Sequence, residues 1–156
     1  MASNFVDYVK VFCRSGNGGG GSMHFHRAKY VPKGGPDGGD GGKGGDVIFR
    51  ADRNLSTLMD FKYKRKYAAR NGEDGKGANM SGRGAENLIV RVPIGTVIKD
   101  AETGLVIADI SEEKDYVIAK GGKGGLGNQH FATATRQIPN FAKPGFRGQE
   151  MDVTLE

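Results

Sequence analysis

The chain has one cysteine, no tryptophan, few leucines and no uninterrupted apolar run of the length a membrane helix needs. A single thiol, Cys13, excludes an internal disulfide framework and fits a reducing compartment, where its simplest role is a small side chain buried in a strand. The first twenty residues carry Asp7, Lys10 and Arg14 and lack the apolar stretch of a signal peptide. The expectation is a soluble, cytoplasmic protein. No G-x-x-x-x-G-K-[ST] occurs, so the chain lacks a P-loop. There is no plausible Ser/His/Asp or Cys/His set and no isolated carboxylate pair in an apolar setting, hence no positive sign of catalysis. His24 and His26 could share a metal, but no Cys, Asp or Glu nearby completes a ligand set.

Glycine is what the chain has in excess, 27 of 156 residues. Residues 34–46 read GGPDGGDGGKGGD, and from Gly35 they fall into triplets opened by Gly35, Gly38, Gly41 and Gly44. A period of three fits neither an α-helix nor a strand; it fits the left-handed polyproline II helix, with three residues per turn and about 3.1 Å of rise per residue. Such a helix makes no internal hydrogen bonds, so a packed one must find partners on other segments. Residues 16–21, 72–84 and 121–127 are also glycine-rich and are the expected partners, the last with Gly121, Gly124 and Gly127 in the same register. The third edge of the triplet helix is expected to carry Asp37, Asp40, Lys43 and Asp46 toward solvent. The competing reading, a flexible glycine linker, is opposed by the triplet register and by the strand-patterned segments between the stretches.

Those segments alternate with strand period. Residues 5–13 place Val9, Val11 and Cys13 on one face; 47–50, 88–92, 96–99, 105–110, 116–120 and 151–155 follow, with turns at 93–95, 102–104 and 112–115. Residues 61–67 (FKYKRKY) read as a strand with one basic face, either guarding an edge or binding nucleic acid. A brief helical turn capped by Asn54 is expected over 55–59. The whole predicts one domain, mainly β, a small sandwich or barrel accompanied by packed glycine-rich polyproline II helices. Gly122-x-Gly124-x-x-Gly127 mimics a dinucleotide fingerprint, but no helical stripe follows to receive a pyrophosphate. The net charge of +5 points to a polyanion only where it clusters. It does so beside the glycine stretches: Arg27, Lys29 and Lys33; Lys76 and Arg83; His130 and Arg136. Cations with aromatic company suit folded RNA.

Four motifs are long and compositionally odd: YVPKGGPDGGDGGKGG at 30–45, DFKYKRK at 60–66, VPIGTVI at 92–98, and GGKGGLGNQHFATATRQIPNFAKPG at 121–145. In order along the chain they resemble the N-terminal domain of the Obg family of GTPases, which implies a small eight-stranded β-sandwich with glycine-rich left-handed polyproline II-type helices projecting from it. The resemblance implies docking on rRNA of the large ribosomal subunit near the peptidyl-transferase centre, with neither DNA nor membrane as partner. It implies Arg27, Lys29 and Lys33 in a first RNA-facing tip, Lys76 and Arg83 in a second, and His130 and Arg136 in a third. It further implies a GTPase domain after residue 156 that binds GTP and Mg²⁺, for which this segment itself has no cofactor. The chain departs from the family pattern at 26–29, at Asn140 and at Phe146-Arg147. Alternative roles are a scaffold for a GTPase or stress-signalling partner, and a nucleotide-binding enzyme using Gly122 to Gly127.

Overall fold

The computed structural model describes residues 8–25, 35–131 and 142–156. Eight strands appear among them: β1 (Val9–Arg14), β2 (Val47–Ala51), β3 (Lys66–Ala68), β4 (Leu88–Val92), β5 (Thr96–Asp100), β6 (Val106–Ile110), β7 (Asp115–Ala119) and β8 (Glu150–Leu155). They form a five-stranded sheet ordered β3-β1-β8-β5-β6 and a three-stranded sheet ordered β4-β2-β7. The alternation seen in the sequence sets the core: Val9, Val11 and Cys13 of β1 are buried while Lys10 is exposed. Val47, Phe49, Ala51, Val90, Val92, Ile98, Ile110, Val153 and Leu155 close the space between the sheets. Cys13 is fully buried there, and burial, with a lesser push from Asp152, raises its thiol to about 12. It is a packing residue, since only a thiolate is nucleophilic.

Both sheets are mixed. β1 runs parallel to β3 and β2 parallel to β4, so each pair needs a crossover connection. The glycine-rich segments supply those crossovers, leaving one end of the sandwich and returning to it. The opposite end holds the turns at 93–95 and 111–114 and the last residue, Glu156, which exchanges backbone hydrogen bonds with Val97.

The strand expected over 61–67 is only partly one. Met59–Lys62 forms a 3-10 turn and β3 begins at Lys66. The reason is Leu58 and Phe61, both buried and three residues apart, a spacing that a 3-10 turn brings to one side. Phe61 then packs on Tyr67 at 5.5 Å between ring centroids, and Tyr63 is left 77% exposed. The helical turn expected over 55–59 with an Asn54 cap is displaced: the turn starts at Met59, its N-cap position is Leu58, and no side chain caps it.

A backbone-packed bundle and its candidate binding end

In segment 37–46 every third residue repeats the same partner. The amides of Gly39, Gly42 and Gly45 donate to the carbonyls of Lys76, Glu73 and Arg70, while those of Gly41 and Gly44 donate to Gly125 and Gly122. The carbonyls of Gly39, Gly42 and Gly45 accept from Ser22, Gly19 and Gly16. Those of Asp37, Asp40, Lys43 and Asp46 accept from Asn79, Gly82, Ala85 and Leu88. Four neighbouring segments therefore surround this one, each in a register of three, the hydrogen-bond signature of packed polyproline II helices. The same register joins the outer segments, where Gly122, Gly125 and Asn128 donate to Gly16, Gly19 and Ser22. Segment 143–149 joins too: Ser15, Gly18 and Gly21 donate to Gln149, Phe146 and Lys143. It holds only Gly145 and Gly148, one pair at a spacing of three, too short a run for the sequence pattern to flag.

Such spacing leaves no room for a side chain at the contact. A Cβ built on Gly41 would fall under 3.0 Å from the Gly19 carbonyl oxygen, one on Gly44 equally close to that of Gly16, and Gly38, Gly121, Gly124 and Gly127 are obstructed in the same way. Gly35 differs. A Cβ there meets nothing within 4 Å, so crowding does not require glycine at that position.

The acidic residues of the third edge do not point to solvent, a correction to the sequence reading. Because carbonyls on that edge bond segments 79–88, the side chains there lie within reach of amides left over by the register of three. Asp40 Oδ1 accepts from the Gly127 amide at 2.9 Å and Asp46 Oδ1 from Gly121 at 2.7 Å. Lys43 bonds Asp46 at 2.6 Å. Burial would raise the Asp46 carboxyl, but the hydrogen bonds from Lys43 and Gly121 outweigh it and hold it below the ordinary value of 3.8. Asp37 is buried outright at 6% exposure.

Asp37 marks the far end of the bundle, where three connections meet. Its carboxylate bonds His24 Nδ1 at 2.6 Å and accepts from the Ala78 amide at 3.0 Å. Asn128, fully buried, accepts from the Gly38 amide through Oδ1 at 2.8 Å and donates through Nδ2 to the His24 carbonyl at 3.0 Å. Phe25 and Pro36 form an antiparallel bridge beside them. The connection leaving at Phe25, the turn at 77–80 and the segment after Asn128 are thus tied to one another within a few residues of Asp37. The turn itself is tight: Ala78 and Asn79 both sit at φ 58°, in the left-handed region, with the Met80 amide closing on Gly77. Asp37 and Asn128 are the residues that sequence reasoning missed; the one signal available was a polar residue at each end of a glycine run.

Of the expected RNA-facing residues, Lys76 and Arg83 are exposed on the second connection. His130 lies in the 3-10 turn Asn128–Phe131, where Nε2 meets Asp40 Oδ1 at 2.8 Å. Arg27, Lys29, Lys33 and Arg136 lie outside the described residues, as does His26. The phosphate cradle imagined at Gly122 to Gly127 is not free to act as one. Its amides at Gly122, Gly125 and Gly127 are committed inside the bundle, and a carboxylate stands against Gly127 where an anion would need a donor. Among the described residues no helix is long and apolar enough to cross a membrane.

The comparisons with known proteins agree with this architecture. The GTPase Obg of Caldicellulosiruptor saccharolyticus is 62% identical over 97% of this chain, and that of Thermodesulfovibrio yellowstonii 59% over the same share. The match takes up 36% and 45% of those proteins respectively, so the chain spans less than half the length of the relatives it resembles. With the GTP1/OBG family model matching residues 6–156, the chain belongs to the GTP1/OBG family.

Proposed function

We propose that this chain is the rRNA-docking part of a GTP-hydrolysing ribosome-assembly factor, meeting the large ribosomal subunit through the connections gathered at the Asp37 end of the bundle. The observation that carries this reading is the convergence of those three connections on Asp37 and Asn128. The connections carry cations: Arg27, Lys29 and Lys33 in the first, Lys76 near that end and Arg83 further back, level with Gly42, in the second, and His130 and Arg136 in the third. A backbone-packed rod fixes where the three connections leave and return, so the entropy cost of bringing them together is largely met before binding. His130 faces Asp40, so its part is to position the third connection as well as to contact phosphate. The relatives are named GTPases, and GTP and Mg²⁺ belong to the portion of the parent protein that this chain does not span. The chain's own GTPase domain and the ribosomal subunit are then its two partners, with the cytoplasm as the compartment.

The test is co-sedimentation of the 156-residue chain with purified large ribosomal subunits across a salt series. Lys76→Ala with Arg83→Ala, and separately Arg27→Ala and Arg136→Ala, are expected to weaken binding and flatten its salt dependence at unchanged melting temperature. Undiminished binding by all of these variants overturns the reading.

A further inference from the structure

Two groups of cations among the described residues contrast. On the three-stranded sheet and the loops at its end they are neutralised: Arg50 pairs with Asp115 at 2.6 Å, Arg91 with Asp52 at 3.4 Å, and Arg53 with Glu113. On the opposite flank they are not. Lys62, Lys64, Arg65 and Lys66 are all exposed, and none makes an ion pair with a described residue. Asp60 is the only acidic residue between Met59 and Arg70. Amid the four cations stands Tyr63, 77% exposed and without a ring-ring or cation-ring contact to any described residue. Lys66 Nζ lies 6.0 Å from the Phe12 ring centroid, and Lys10 precedes Phe12 by two residues on the same outward face of β1, which extends the basic surface across the sheet edge.

Guarding an edge strand against pairing explains only part of this. β3, the edge strand, spans Lys66–Ala68, so Lys66 alone of the four lies on it. Arg65 adjoins it, its carbonyl accepting from the Phe12 amide, but Lys62 and Lys64 lie in the 3-10 turn and the link before it, outside the strand edge. The turn that buries Leu58 and Phe61 is what throws the intervening cations and Tyr63 outward.

We propose that this flank is a second nucleic-acid contact, for unpaired RNA: Lys62, Lys64, Arg65 and Lys66 take backbone phosphates while a base stacks on Tyr63. Concentrated cations around an exposed ring are what sequence-tolerant single-strand binding uses. The surface is distinct from the Asp37 end. Residues 70–76 of the bundle intervene, about 19 Å of polyproline II rise. An RNA engaged at both places has to run along the length of the bundle.

The experiment uses the 156-residue chain with a twelve-nucleotide oligouridine and, separately, with purified large ribosomal subunits. Replacing Lys62, Lys64 and Arg65 together with alanine is expected to weaken oligouridine binding at least tenfold. It should also make the logarithmic salt slope shallower by about two, given roughly 0.7 per phosphate contact on single strands. Tyr63→Ala is expected to weaken binding several-fold and Tyr63→Phe to restore it. All variants should melt with the parent, since the altered side chains are exposed. Unchanged slope in the charge variant, Tyr63→Ala indistinguishable from the parent, or equal preference for a duplex of the same length overturns the proposal. Subunit binding separates it from the docking reading: loss with Lys76→Ala and Arg83→Ala but not with the flank variants leaves the Asp37 end as the sole contact, and the reverse pattern leaves the flank.

Discussion

In the sandwich, Phe49, Ile98, Ile110 and Leu155 exclude water by filling the space between two sheets; in the bundle, Gly38, Gly41 and Gly44 exclude it by having no side chain. The two cores fail differently. A fully buried aliphatic or aromatic side chain contributes about 1.5–3 kcal/mol, and the surrounding residues can adjust to a small change in its volume. A backbone hydrogen bond contributes a net 0.5–1.5 kcal/mol at roughly the same magnitude as the entropy that glycine loses on being fixed. Each bundle residue is therefore close to neutral, and the structure stands because every segment runs directly from or into a strand. Segment 15–22 continues β1, 37–46 enters β2, and 121–128 continues β7.

Gly41→Ala presses that comparison hardest. Its new methyl would collide with the Gly19 carbonyl, and backbone on both sides is bonded in register, so relief requires separating two segments. The expected loss is about 3 kcal/mol, the upper end of ordinary overpacking. That corresponds to a fall in melting temperature of about 6–12 °C for a domain of this size. Ile98→Val, at a fully buried sandwich position, is expected to cost about 1 kcal/mol. Gly35→Ala, where space is open, serves as the control. Should Gly41→Ala melt with Gly35→Ala, the bundle is not packed through its backbone.

Asp40→Ala tests whether side chains matter in the bundle at all. Removing the carboxylate leaves the Gly127 amide without its acceptor and His130 without its partner. A loss of about 2 kcal/mol is expected, within the usual cost of orphaning a buried donor, and Asp40→Asn should recover part of it by keeping an acceptor. Thermal melts of the pair decide the matter; a silent Asp40→Ala would return the third edge to solvent.

What was legible in the sequence followed the same division. Alternation located the strands because side chains carry the sandwich, and the period of three located the central segment because glycine carries the bundle. Where one residue had to serve a contact that neither period describes, the reading missed. Asp37, Asp40 and Asp46 look like a solvated stripe in one dimension, and only amides far along the chain make them acceptors: Ala78 for Asp37, Gly127 for Asp40 and Gly121 for Asp46. Segment 143–149 was missed because it joins the bundle through backbone while keeping side chains on its free edge. Leu58 and Phe61 beat the alternation of 61–67 because burying both needs a turn, not a strand.

The turn at 77–80 offers a smaller effect of opposite sign. Ala78 at φ 58° carries the penalty of a Cβ in the left-handed region, about 1–2 kcal/mol, partly offset in glycine by its greater unfolded-state freedom. Ala78→Gly is expected to stabilise the chain by about 0.5–1 kcal/mol by chemical denaturation, unlike removal of a crowded glycine such as Gly38, Gly41 or Gly44. A destabilised Ala78→Gly would mean that the methyl itself makes a contact worth more than the strain.

The smallest effect compares two acidic residues, one from each region. Asp46 in the bundle and Asp115 on the three-stranded sheet both have carboxyls held below 3.8. In Asp46 burial opposes the hydrogen bonds from Lys43 and Gly121 and loses; in Asp115 the Arg50 hydrogen bond dominates. For such a group the stabilisation is fully present above the unfolded value of 3.8 and is lost as pH falls through the lower folded value, because the unfolded chain takes up the proton first. Melting temperature should therefore decline below about pH 4, and less steeply in Asp46→Asn or Asp115→Asn than in the parent. Salt separates the regions. The Arg50–Asp115 pair is exposed and should lose its contribution near about 1 M salt, where the screening length is about 3 Å. Asp46 also bonds a backbone amide inside the bundle, so the part of its acid sensitivity that Gly121 supplies should persist while the part from the exposed Lys43 is screened. Equal loss of both at high salt would mean that the bundle admits solvent and ions as freely as the sheet surface does.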